Sequence, residues 1–295
     1  MHRLFDFELT ARLLHYGFVQ SALLAAAVLG LLAGVLGPLI VSRNMAFSVH
    51  GTAELSFTGG AAALLLGVNV GYGAVAGAVV AALILGLLSR RNADHDSVIG
   101  VVLAFGLGVG VLLLWFYKGN ASTKFGLLIG QIVHVDFVSI VLLASCTVLV
   151  LGVLAVLYRP LLFASVDPEV ALARGVPVRL LSPVFAVLVG VATALGVQTV
   201  GALLVLSLMI TPAAAACRIT ASPLRATLLA ILFAEVSVVG GIILSLAPGA
   251  PISGFVTAIS FVIYLGCWTY GVLRARRGAV SRAAVAPAVP LPAHR

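Results

Sequence analysis

Long apolar runs, very few charges and basic residues gathered at the ends of the runs predict an all-α polytopic membrane protein. About nine transmembrane helices and one short cytoplasmic helix are expected. Of the 295 residues, 62% are hydrophobic and 9% charged, whereas a soluble domain carries roughly 25% charged residues. The mean hydropathy is +1.23. The runs are continuous and rich in Leu, Ala, Val and Gly, not alternating over about 10 residues as in a membrane β-barrel. The net charge is +8, but the basic residues sit at helix ends in the positive-inside pattern, so nucleic acid is not an expected partner. Cys146, Cys217 and Cys267 lie in or beside apolar runs without CxxC spacing, so neither a disulfide frame nor a thiolate metal site is expected. No cleavage site stands out after the first apolar run, so no removable leader is expected.

Residues 1–16 mix Arg3, Asp6, Glu8, Arg12 and His15 with Leu and Phe, as an interfacial amphipathic segment does. The membrane body follows over 17–274, with a first span at about 18–41 closed by Arg43. A polar stretch holding His50 and Glu54 comes next, then a short second span at about 55–68. Gly71 and Gly73 read as breakers before a third span at about 74–88. Arg90 and Arg91 place the next loop in the cytoplasm, and Asp94, His95 and Asp96 within it read as solvated rather than metal-binding. The fourth span, about 98–117, contains Gly106-Leu107-Gly108-Val109-Gly110. With no strand before it, this run reads as close helix packing and not as a phosphate loop.

Residues 118–136 read as an outer segment with a short interfacial or re-entrant helix near 125–133. His134 and Asp136 there fit an outer entry point or a wet loop. A fifth span at about 137–157 ends at Arg159-Pro160, and a non-spanning stretch runs to Pro183. Within it, Ser165 or Asp167 can cap a short helix, Pro168 suits its first position, Glu169 its positive end and Gly175 its stop. That helix is either an ordinary loop helix or a docking helix for a cytoplasmic partner. The sixth to ninth spans are expected at about 184–206, 209–217, 226–246 and 252–272, with kinks or a break at Gly201 and Pro212. Glu235 lies alone in the eighth span. Residues 275–295 are Ala-, Pro- and Arg-rich and read as a disordered tail.

His50 and Glu54 carry the chemistry. Four residues apart on a helix, they share one face. A carboxylate and an imidazole inside a bilayer are costly unless paired, solvated by a cavity or bound to an ion. They serve either transport or a helix-fixing hydrogen bond, and Glu235 either lines the same path or pairs elsewhere. No G-x-x-x-x-G-K-[ST] phosphate loop occurs in the chain, so ATP hydrolysis by the chain itself is not expected.

Three landmarks carry a resemblance. They are Arg43-Asn44-Met45-Ala46-Phe47 with the polar pair and Gly59, the run Asp167 to Pro177, and Gln198-Thr199-Val200-Gly201 through Pro212-Ala213. Over about 18–274 the chain resembles the membrane permease subunits of bacterial ABC transporters that import zinc, manganese or iron. The family usually carries Gly-Asp-Ala-Leu-Ser-His-Ala where this chain carries His50 and Glu54 in the reverse order, and a Lys where this chain has Gln198. The resemblance implies a multi-pass protein of the bacterial cytoplasmic membrane, surrounded by membrane lipid, that is a transport subunit and not an enzyme. It implies no cofactor, a divalent metal ion as cargo, a second permease copy, a cytoplasmic ABC ATPase and an extracytoplasmic solute-binding protein. It further implies that Asp167, Glu169, Ala171, Arg174 and Gly175 form the ATPase-coupling segment within about 160–183. A permease for a metal chelate, an ion-coupled secondary transporter and a structural membrane protein are the alternatives.

Overall fold

The computed structural model describes residues 7–88, 95–119, 137–200, 202–248 and 252–285. Among them are eleven helices and no strand: α1 (Phe7–Leu14), α2 (Gly17–Ser42), α3 (Ala46–Leu65), α4 (Val70–Leu88), α5 (His95–Phe116), α6 (Phe137–Val166), α7 (Pro168–Ala173), α8 (Val178–Val200), α9 (Ala202–Ile219), α10 (Pro223–Leu246) and α11 (Ile252–Val285). Six of these, α2, α5, α6, α8, α10 and α11, are long and apolar enough to cross a bilayer. Helices α4 and α9 are apolar but shorter. Helix α3, diluted by Ser48, His50, Thr52, Glu54, Ser56 and Thr58, falls in neither group.

Small residues decide which helices sit inside. Helix α2 carries Ala22, Ala26, Gly30, Ala33, Gly34 and Gly37, which let other backbones come close; 67% of its membrane window is buried, against 11% for α11. Gly34 meets the backbone of Ile231 on α10, and Gly37 meets Ala213 and the Met209 carbonyl on α9. Outer helices turn large apolar side chains outward, including Phe105 and Trp115 on α5, Val148 and Val156 on α6, and Phe261 and Trp268 on α11. Such faces suit lipid, where helices gain little hydrophobic energy by associating and rely on close packing.

Helix α3 is held by α4, α5, α8 and α9. Gly59 lies against Gly73 and Gly77 of α4, while Gly106 and Gly110 of α5 lie over Leu55 and Phe57. Thr58 Oγ1 donates to the Gly106 carbonyl, tying the same interface. The ends of α2 and α3 are closed by one device, the Schellman motif. At the α2–α3 corner Asn44 has φ +54°, its N–H donates to the Val41 carbonyl and the Met45 N–H to the Ile40 carbonyl. At the far end Gly67 has φ +71°, its N–H donates to the Leu64 carbonyl and the Val68 N–H to the Ala63 carbonyl.

Several sequence boundaries move. The polar stretch is not a link before the next helix but the first half of α3, because the chain turns at Arg43–Met45. Gly71 and Gly73 do not break the chain; they begin α4 and give it room, while Gly67 makes the turn and Asn69 Oδ1 accepts from the Gly71 N–H at 2.8 Å. Helix α6 passes through Pro160 to Val166, and α8 starts at Val178 with Pro183 inside it, so the non-helical stretch is shorter than expected. One proline removes only one backbone donor from a long helix. Pro212 likewise lies within α9, and Leu206 belongs to α9 rather than to the sixth span. Residues expected in the tail are helical as far as Val285. The expected 125–133 helix lies outside the described residues, as do Arg90, Arg91 and Asp94.

The short helix α7 forms as its residues dictate. Asp167 is its cap, with Oδ1 accepting from the N–H groups of Glu169 (3.1 Å) and Val170 (3.0 Å), and Pro168 occupies the first turn. Gly175, at φ +80°, ends it in a third Schellman motif, with the Gly175 N–H on the Leu172 carbonyl and the Val176 N–H on the Ala171 carbonyl.

Two outcomes follow. A Cβ built on Gly110 would stand 2.6 Å from the Phe57 ring, whereas one on Gly108 would meet nothing within 4 Å. Gly110→Leu is therefore expected to destabilise the folded protein by about 1–3 kcal/mol through overpacking, read as a lower melting temperature in detergent, with Gly108→Leu close to wild type. Asp167→Ala should weaken α7 by about 1 kcal/mol, seen as faster amide hydrogen exchange confined to 168–176, and Asp167→Asn should restore most of the protection.

Candidate functional site

The polar pair sits on the half of α3 nearest the α2 corner. Glu54 is buried at 7% exposure and interacts electrostatically with His50 one turn earlier. His50 opens onto a cleft of about 410 Å³ between α3 and α9, lined by Ala46, Phe47, Leu206, Ser207, Ile210 and Thr211. Its Nδ1 is buried and has no hydrogen-bond partner. An orphaned buried imidazole nitrogen is costly in an apolar bundle. Thr52 donates to the Ser48 carbonyl of its own helix at 2.6 Å, and the single hydroxyl hydrogen of Thr58 is taken by the Gly106 carbonyl of α5, with the Glu54 carbonyl 2.9 Å away as its alternative acceptor.

Across the cleft α9 presents Ser207 and Thr211, four residues apart and on one face. Neither was singled out from the sequence, although two hydroxyl residues at helical spacing before Pro212 in an apolar run were a readable signal. Ser207 Oγ donates to the Leu204 carbonyl at 2.9 Å and lies 3.2 Å from Thr257 Oγ1 of α11. Glu54 is not among the residues that line the cleft and lies buried one turn behind His50; imidazole, carboxylate and hydroxyl groups are each donors that a divalent ion such as manganese or zinc accepts.

The structure does not bring Glu235 into this set. Its carboxylate lies against Gly30 and the Leu31 backbone of α2; a Cβ on Gly30 would stand 2.9 Å from Oε1. Among the described residues no three of His, Cys, Asp and Glu gather as a metal site. Gln198 packs its amide against Gly71 at the start of α4. His134 and Asp136 lie outside the described residues.

The coupling-type segment stands apart from the cleft. Ala171 is fully buried and seats α7, which packs on α6 and α8. Glu169 and Arg174 are exposed, beside the exposed apolar side chains of Val170 and Leu172. The residues expected to form a short helix therefore do form one, with apolar and charged groups on its outer surface.

The model of the ABC 3 transport family matches residues 15–271. The manganese transport system membrane protein MntC of Listeria innocua is 30% identical over 270 residues, covering 90% of this chain and 96% of the relative. The high-affinity zinc uptake system membrane protein ZnuB of Haemophilus influenzae is 28% identical over 225 residues, covering 76% of this chain and 86% of that protein. Among solved structures, PsaBC from Streptococcus pneumoniae in complex with Fab superposes with a TM-score of 0.80 at 24% identity, covering 88% of this chain and 94% of that one. With the family model matched across nearly the whole chain and the same helical architecture in a solved relative, this chain belongs to the ABC 3 transport family, as a multi-pass membrane permease subunit and not an enzyme.

Proposed function

We propose that this permease moves a divalent transition-metal ion, manganese or zinc, into the bacterial cytoplasm. The observation that carries the reading is the half-buried His50 at the wall of a cleft, one turn from the buried carboxylate of Glu54 and with its own buried Nδ1 unpartnered. The manganese and zinc transport functions named for the similar proteins support the cargo class. In this reading His50 and Glu54 meet the ion, and Ser207 and Thr211 supply hydroxyl oxygens from the facing helix. Glu235 belongs to the wall of the path through its seat on α2, and His134 and Asp136 serve the outer entry.

Nine crossings are the finer form of the fold: the six long apolar helices, the shorter α4 and α9, and the polar α3. Two copies of the chain assemble in the membrane with two cytoplasmic ATPases, and an extracytoplasmic solute-binding protein delivers the ion. Helix α7 is where the ATPase pushes. Its buried Ala171 anchors it, Asp167 and Gly175 fix its ends, and Glu169 and Arg174 with exposed Val170 and Leu172 present a mixed docking surface.

Whole-cell manganese and zinc content in a deletion strain tests the cargo. Wild type should restore the content, and His50→Ala or Glu54→Gln should lower the restored accumulation by about tenfold or more at equal amounts of protein in the membrane. Accumulation equal to wild type in both variants would remove the site. The docking surface has its own test: Leu172→Glu should abolish co-purification of the ATPase while the permease keeps its melting temperature, because a charge at an exposed position disturbs the interface and not the core.

A further inference from the structure

We infer that Arg43 is a positioning residue, a side-chain tie through which movement of α7 reaches the helix carrying His50 and Glu54. The inference deepens the proposed function and rests on it only for the word ATPase; the tie itself stands on contacts within the chain. Arg43 is the C-cap of α2, at the corner whose Schellman bonds lead directly into α3. Its Nε donates to Ser165 Oγ at 2.7 Å. Its guanidinium carbon lies 5.2 Å from the centroid of the Phe185 ring, and Phe185 is fully buried on α8. Ser165 in turn donates to the Leu161 carbonyl at 2.7 Å, one turn back on α6.

Ser165 is two residues before Asp167, the cap of α7. One guanidinium therefore joins the α2–α3 corner, the α6–α7 junction and α8. Among the described residues no carboxylate is paired with it, so a hydroxyl and an aromatic face hold the charge. Guanidinium suits this because its planar fork can donate and stack at once, which an ammonium does less well.

The tie spans open space. A cavity of about 420 Å³ lies beside it, lined among others by Arg43, Met45, Ser48, Ser165 and Ser182. Helix α7 packs on α6 and α8, so across this gap the Arg43 side chain links the docking element to α3. The corner is stiff, since Asn44 holds the left-handed conformation and both motif bonds are made. A displacement of Ser165 is then passed to Met45 and the first turns of α3, where His50 faces its cleft.

Two measurements decide the inference. In the purified permease alone, Arg43→Ala should speed amide hydrogen exchange at least about fivefold, from loss of a charged hydrogen bond and a cation–π contact. The rise should occur both in 44–50 and in 167–176, with α10 unchanged. A rise in one segment without the other, or in neither, overturns the tie whatever the protein transports. In the transporter reconstituted with its ATPase, using manganese as the probe, Arg43→Ala should keep ATP hydrolysis while metal moved per ATP falls about tenfold. Ser165→Ala should act in the same direction, and the double variant should be no worse than Arg43→Ala, because both residues hold one link. Additive losses, or unchanged uptake per ATP, overturn the role of Arg43. Absence of ATP-driven uptake in the wild type would count against the proposed function instead, and the exchange result would still decide the tie.

Discussion

The close approach of α3 to its neighbours at glycine is the constraint on which the rest of the structure depends. A helix bearing His50 and Glu54 cannot face lipid without a large penalty, and lipid offers no hydrophobic drive to bury it. Backbone-to-backbone contact supplies the association instead. Gly59 meets Gly73 and Gly77, Gly106 and Gly110 of α5 fit over Leu55 and Phe57, and Gly190 of α8 admits Thr52. With those sides occupied, α3 looks across a cleft at α9, and that cleft holds His50. Site and packing are one consequence of where glycines fall.

Helix ends obey the same rule. Backbone carbonyls at a helix end near a membrane must find partners within the protein. Asn44, Gly67 and Gly175 solve this alike, each in the left-handed region with both Schellman bonds made. The α2–α3 corner thereby turns in three residues, from Arg43 to Met45, and α3 is closed at its far end by Gly67. The same local device bounds α7. The helix proposed to dock a partner and the helix that carries His50 and Glu54 thus each have an end fixed by local backbone bonds, and the Arg43 side chain joins them.

The all-helical membrane fold was legible because lipid demands long apolar runs and confines charge to their ends. Helix α7 was legible too: Asp167, Pro168 and Gly175 act through local backbone chemistry that needs no tertiary knowledge. Gly106 to Gly110 was rightly a packing surface, since Gly106 and Gly110 meet α3 while Gly108 meets nothing. What failed was the distinction between a glycine that turns the chain and one that admits a neighbour. Gly67 turns and Gly73 packs, and their local sequences do not separate the two roles. Prolines 160 and 183 misled in the same way, because a long helix within a bundle tolerates the loss of one donor. The i, i+4 relation of His50 and Glu54 was legible from spacing. The seat of Glu235 on α2 and the opposition of Ser207 and Thr211 to His50 were not, because they depend on which helices become neighbours.

Packing along α3 is uneven, and the unevenness gives the molecule a direction. Its second half is locked: Phe57 and Ala61 are fully buried, and Gly59 lies on α4 without room for a methyl group. Its first turns have free volume on both sides. Met45 and Ser48 line the cavity of about 420 Å³ next to Arg43, while Ala46, Phe47 and His50 line the cleft of about 410 Å³ against α9. Close-packed interfaces resist deformation and voids admit it. A force applied at the α2–α3 corner therefore displaces the turns that carry His50 and leaves the glycine-packed half fixed. Glu54 lies just before that locked half and is itself buried. A swing of the first turns changes the position of His50 relative to a nearly stationary carboxylate and to the hydroxyls of α9. In the proposed reading, a pair that straddles the boundary between a free and a fixed half releases an ion by changing its own geometry, which two ligands on one rigid helix could not do.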